Sequence, residues 1–268
     1  MPKKDNKKLT KKELKEKRKL NIIIYLSLRI LVIISMILQG LNHNWSNVAL
    51  CILTLVLFTL PNLISDKLDI AFPETLEIIV YLFIFSAAFL GETQNFYGIF
   101  DQWDTILHTF NGIICAAVGF SLVDLLNTNS NDINLSPAFI ALVSFTFSMT
   151  VGVMWEFAEF TVDNYFGKDM QKDKIVEKFQ SVKINETGEN IPIVIENIGR
   201  TEIYDKTGSQ LVAIEDGYLD IGLYDTMKDL IVNFIGAFVF SIFGYLYVKN
   251  REGYKYLEIL IPKRKRIE

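Results

Sequence analysis

The chain has 268 residues, half of them hydrophobic, 13% aromatic and 22% charged, with a mean hydropathy of +0.27. Its formal net charge is −4, but the charges are segregated: of 27 Lys and Arg, ten lie in residues 1–19 and seven in residues 249–268. That pattern excludes a disordered chain, a disulfide scaffold and an ordinary soluble globule, and predicts a multi-span membrane protein with basic tails.

The first segment, 1–19, sets ten bases against Asp5, Glu13 and Glu16, a net of +7. It could be taken for a nucleic-acid arm. Joined to an apolar run, it reads instead as a positive-inside topology signal, and no nucleic-acid partner is expected. No small-x-small site follows the run, so it is not the start of a cleaved signal.

A bilayer core needs about 20 apolar residues per helix. Six runs qualify: 20–41, 46–65, 73–91, 105–127, 137–160 and 226–248. The first contains a single charge, Arg29, for which a carboxylate partner, Glu77 or Asp124, is expected because an unpaired charge at that depth is costly. Cys51 and Cys115 fall within apolar runs and read as buried, inert thiols. Six spans put both termini on one side, and basic tails make that side the cytoplasm of a multi-pass cell-membrane protein.

The expected organisation is therefore a basic cytoplasmic tail (1–19), five transmembrane helices (20–160), an extracytoplasmic loop (161–224), a sixth helix (225–248) and a second basic cytoplasmic tail (249–268). The loop is too long to be structureless by default. Its residues 181–214 alternate branched apolar and polar types, broken at Glu186-Thr187-Gly188-Glu189 and Asp205-Lys206-Thr207-Gly208. These features predict a small antiparallel sheet. The fold class is thus all-α and polytopic, with a small β-rich extracytoplasmic insertion.

With this topology the fourth span starts outside, the fifth ends outside and the sixth starts outside. The fourth opens with Asp104-x-x-x-His108-x-x-Asn111-Gly112. The fifth closes with Gly152-x-x-x-Glu156-x-x-Glu159-x-x-x-Asp163. The sixth opens with Asp225-x-x-x-Asp229-x-x-x-Asn233-x-x-Gly236. Spacings of three and four put each set on one helical face. At about 1.5 Å per residue, His108, Glu156 and Asp229 lie roughly 5–10 Å inside the outer ends.

Such groups are expensive in lipid and should face one another or a wet cavity. A merely bracing polar core predicts balanced partners. Here several carboxyl groups accompany one histidine, with Lys228 the only nearby base on these helices. Clustered carboxylates must share protons or a cation. The expected site is Asp104, His108, Glu156, Asp225 and Asp229, with Glu159, Asp163 and Asn233 at its margins as substrate-binding groups. Glu156 or His108 would be the general base. The motifs name no cofactor. One histidine among carboxylates is compatible with a divalent metal, for which His108, Glu156 and Asp229 are the candidate ligands. No Gly-rich phosphate loop and no nucleophile elbow occur.

At these segments the sequence resembles the YjdF-type family of bacterial inner-membrane proteins. The resemblance rests on Phe100-Asp101-x-x-Asp104-x-x-x-His108-x-x-x-Gly112, on Trp155-Glu156-x-x-Glu159, and on Asp225-Thr226-x-x-Asp229 followed by Gly236. The order of these groups is more distantly similar to VanZ-type membrane proteins, although the arginine of their third motif is missing. The segment before Asp225 carries an insertion at 168–220. The resemblance implies a polytopic membrane protein with these acidic and histidine positions, and no particular reaction.

Two functional classes follow. One is a membrane-embedded enzyme acting on a lipid-linked or amphipathic substrate among the membrane lipids. The alternative is a transport or binding protein for a proton, cation or small polar solute, or a structural membrane protein. A transporter needs polar residues continuing to the inner side, where only Arg29, Glu77 and Asp124 are available.

Overall fold

A computed structural model describes residues 11–67, 70–129 and 134–264. The ends of both basic tails, 1–10 and 265–268, lie outside the described residues. Among the described residues six helical segments are long and apolar enough to cross a membrane: 19–41, 45–67, 74–93, 103–128, 137–166 and 223–249. The chain is an integral membrane protein of mostly helical architecture, in contact with lipid.

Helix α1 (Lys11–Leu41) already begins within the basic segment. The second span is not one straight helix. It consists of α2 (Trp45–Leu57) and α3 (Leu60–Lys67). Pro61 has no N–H to offer the carbonyl one turn back, so the break precedes it. Strand β1 (Ile70–Ala71) follows. The third span starts as α4 (Glu74–Ile84) and continues as a π-helical segment, Phe85–Thr93. A short α5 (Phe96–Ile99) leads into α6 (Trp103–Asn129). Helix α7 (Pro137–Phe166) is capped by Ser136, whose Oγ accepts from the Phe139 N–H at 3.2 Å. It runs six residues past the expected end at 160, so Glu156, Glu159 and Asp163 all lie on helix.

Six strands follow: β2 (Lys174–Val176), β3 (Phe179–Ser181), β4 (Ile193–Ile195), β5 (Arg200–Tyr204), β6 (Gln210–Glu215) and β7 (Tyr218–Asp220). The expected single sheet is instead three antiparallel two-stranded ladders, β2 with β7, β3 with β4 and β5 with β6. The predicted turns are present. Gly188 and Gly208 have φ of +74° and +85°, and Asp205 Oδ1 accepts from the Thr207 and Ser209 amides and the Thr207 hydroxyl at 2.7–2.8 Å. The hydroxyl, then these amides, hold the Asp205 carboxyl below its ordinary value. Helix α8 (Leu223–Lys249) is followed by a 3₁₀ segment, Lys255–Ile259, and by β8 (Lys263–Arg264), which pairs with β1.

The chain divides into two compact units: residues 1–152 with 232–268, and residues 153–231. The first holds two hydrophobic clusters. One joins α1, α2, α4 and the π-helical segment through Leu28, Val32, Cys51, Phe58, Tyr81, Ile84 and Phe89. The other joins α6, α7, α8 and the 3₁₀ segment through Ala116, Phe120, Ile140, Ala237, Phe240, Tyr247 and Leu257. Both cysteines are free thiols, as expected.

Arg29 differs from the sequence expectation. Its Nη1 donates to the Tyr25 hydroxyl at 2.6 Å, and its guanidinium lies 5.2 Å from the centre of that ring. Tyr25 packs on Tyr81 with ring centroids 4.7 Å apart, and Tyr81 donates to Glu77 at 3.1 Å. Two tyrosines thus stand between base and acid. Asp124, the other expected partner, is held by Arg251 through two bonds of 2.6 and 3.0 Å.

Candidate functional site

In the first unit, α6, α7 and α8 meet through backbone rather than bulk. A Cβ on Gly112 would stand 2.3 Å from the Asn233 carbonyl oxygen, and one on Gly236 would stand 2.2 Å from the Thr109 carbonyl oxygen. Only glycine permits that approach of α6 to α8. On α7, a Cβ on Gly152 would stand 2.7 Å from Asn233 Nδ2.

Asn233 is fully buried at this junction. Its Oδ1 accepts from Asn111 Nδ2 at 3.1 Å, and its Nδ2 donates to the Ser148 carbonyl at 3.5 Å. Ser148 in turn donates to the Gly112 carbonyl and Ser144 to the Ala116 carbonyl, both at 2.8 Å. A buried amide and two hydroxyls therefore pin three helices in one register. The bracing role of Ser144 was not apparent from the sequence. Its signal was the small-residue spacing Ser144-x-x-x-Ser148-x-x-x-Gly152.

On the same helix as Asn111, His108 is buried and its Nε2 lies 3.4 Å from Asp104 Oδ1. This is the expected pairing one helical turn apart. The carboxylate orients the ring.

The second unit carries the remaining acids. Glu156, Glu159 and Asp229 are buried, and Trp155 donates its indole N–H to Glu159 Oε1 at 2.7 Å. Lys228 Nζ lies 3.8 Å from Asp229 and 4.0 Å from Asp225. Asp163 accepts from the backbone N–H of Met170 and Gln171 at 2.6 and 2.8 Å. Asp225 accepts from the Lys172 N–H at 2.8 Å, and Gln171 Nε2 donates to the Thr226 hydroxyl at 2.5 Å. Asp163 and Asp225 thus tie residues 170–172 to the helix ends. Glu156 and Asp229 are the more deeply enclosed pair of carboxyl groups here.

Metal-binding donor types are present in each unit: a carboxylate and an imidazole in Asp104 and His108, and carboxylates in Glu156 and Asp229. Mixed oxygen and imidazole donors suit zinc or manganese better than a thiolate-preferring ion.

Residues 21–250 match the family described as "Predicted membrane protein (DUF2238)". The chain belongs to this family. Membership accords with the resemblance to YjdF-type proteins carried by the three polar motifs, all of which lie inside the matched range. An uncharacterised protein of the bacterium Thermotoga maritima is 29% identical over 91 residues, covering 34% of this chain and 45% of that relative. The matching region thus spans less than half of that relative's length. No solved structure matches the chain.

Proposed function

We propose that this DUF2238 protein is a membrane-embedded enzyme acting on a lipid-linked or amphipathic substrate at the extracytoplasmic boundary, with Asp104 and His108 of the first unit and Glu156 and Asp229 of the second as its functional groups. The observation that carries the reading is the buried His108 imidazole, whose Nε2 lies 3.4 Å from the Asp104 carboxylate one helical turn earlier.

In this reading His108, whose Nε2 faces Asp104, accepts a proton at Nδ1 as general base, and Glu156 is the second proton-transfer group. Asp225 and Glu159 line the margins, while Asn233 pins the helices and Asp163 braces the adjoining loop. The engagement of Asp124 by Arg251, and of Glu77 by Tyr81, speaks against a proton or ion path toward the other end of the helices.

The test uses purified full-length protein incubated with a total bacterial lipid extract, its products followed by mass spectrometry. The wild type should consume one lipid class. His108→Ala and Glu156→Gln should leave that class untouched while eluting and melting like the wild type. Turnover by both variants sinks the assignment.

The orientation is proposed on the same footing: both termini cytoplasmic and residues 167–222 outside, because seventeen of 27 bases lie in the tails. Single cysteines replacing Lys4, Glu189 and Lys265 report on it in intact cells treated with an impermeant thiol reagent. Only the Glu189→Cys variant should label. Labelling of either tail position reverses the topology.

A further inference from the structure

We propose that the apolar groove between α7 and α8 is a binding site for one hydrocarbon chain of a lipid, and that it holds the tail of the substrate whose head group occupies the polar site proposed above. The groove has a volume of about 430 Å³ and lies wholly within the first unit. Ala138, Ala141 and Ser241 form its narrow floor, and Phe145, Phe234 and Phe238 form much of its rim. From Phe234 to Tyr245 it follows α8 for about 16 Å at 1.5 Å per residue.

Three observations favour a chain over a second protein helix. First, the rim is bulky and preformed. Phe234 stacks on Phe238 with centroids 5.8 Å apart and meets Phe145 edge to face at 5.1 Å. A helix packs on small residues only where they lie flush with the surface, and here rings stand proud of the Ala and Ser floor. Second, the floor has no polar atom in need of a partner: Ser241 donates to Ser144, and Ser144 to the Ala116 carbonyl. A hydrocarbon can therefore lie there without a desolvation penalty. Third, the groove ends at Phe234, next to Asn233, so a chain within it points its polar end toward the three-helix junction. Leu142, Phe238 and Ile242 are exposed, which leaves the groove open sideways to the bilayer.

Full-length protein in phosphatidylglycerol vesicles, doped with a phosphatidylglycerol bearing a diazirine at the end of its palmitoyl chain, provides the test. Photolysis should place adducts on residues 138–145 and 234–245 about tenfold above those on lipid-facing Leu31, Ile34 and Ile37 of α1, a difference of about 1.4 kcal/mol in chain affinity. Ala141→Phe fills the floor and should bring the groove down to the α1 level. Ile242→Trp, which narrows the opening from the rim, should do the same if Ala141→Phe does not fold. Equal labelling of groove and α1, or labelling indifferent to both substitutions, overturns the chain site. So does a Leu142→Cys variant that oxidises fully to a disulfide-linked dimer. His108→Ala and Glu156→Gln should leave groove labelling unchanged. If they also leave lipid turnover unchanged, the polar-site reading fails and the chain site stands.

Discussion

Replacing Gly112 or Gly236 by alanine should cost about 3 kcal/mol or more of stability, the top of the range for overpacking a close-packed interior. The added methyl would meet not a flexible side-chain tip but a backbone carbonyl oxygen, at 2.3 Å for Gly112 and 2.2 Å for Gly236. Backbone oxygens on a continuous helix cannot rotate away, so α6 and α8 must separate. That separation stretches the 3.1 Å bond between Asn111 and Asn233 and disturbs Ser148, which donates to the Gly112 carbonyl. A buried amide left without its partner adds a further penalty of about 1–3 kcal/mol. The control is Gly40→Ala. Its Cβ would meet only Val48 Cγ2, at 3.9 Å, so alanine should fit there without displacing backbone. Denaturation of the purified proteins in detergent, followed by circular dichroism, measures both. If Gly112→Ala and Gly236→Ala unfold at the wild-type midpoint, close α6–α8 packing is not what holds this end of the bundle.

The second large effect is expected at the opposite end of α6. Arg251 grips Asp124 with both terminal guanidinium nitrogens, lies 5.0 Å from the Tyr247 ring centre, and encloses a carboxylate whose side chain is 9% exposed. Arg251→Ala leaves that carboxylate buried and uncompensated. Loss of one partner of a fully buried pair costs about 3–5 kcal/mol. Arg251 is itself 39% exposed, so solvent screening lowers the expectation to about 2–3 kcal/mol. Arg251→Lys should recover less than half, because one ammonium cannot form two parallel bonds to a carboxylate. Asp124→Asn combined with Arg251→Ala should be less destabilising than the sum of the single changes, since the charge left stranded by Arg251→Ala is then absent. Strict additivity in that cycle would show that the two residues do not act as a pair.

Much of the architecture was legible without coordinates. Hydropathy marked six spans, and spacings of three and four put Asp104 with His108 on one face, with the 3.4 Å pairing then found. Glycines 112, 152 and 236 were read as sites of close helix approach, and each abuts a partner's backbone or the Asn233 amide. Turn chemistry placed Gly188 and Gly208 between strands. The strands themselves were less legible. β3 to β6 fell near alternating segments, but the pairing of β2 with β7, whose partners Lys174 and Asp220 are far apart in sequence, left no local signal.

What the sequence determined by itself is therefore what depends on neighbours within a few residues: span length, helical face, cap and turn. Membrane insertion is a property of each apolar run, and a helical face follows from a fixed 3.6-residue period, so neither requires knowledge of which helix lies beside which. Tertiary structure alone decided the partners. It gave Arg29 the Tyr25 hydroxyl and Asp124 the Arg251 guanidinium, and it assigned Asp163 and Asp225 to backbone N–H groups of residues 170–172. It also made Asn233 the pin of three helices. In each case several groups of suitable chemistry were available along the chain, and the choice among them belongs to whichever helix packing brings within about 3 Å, because hydrogen bonds and ion pairs lose their value steeply beyond that range.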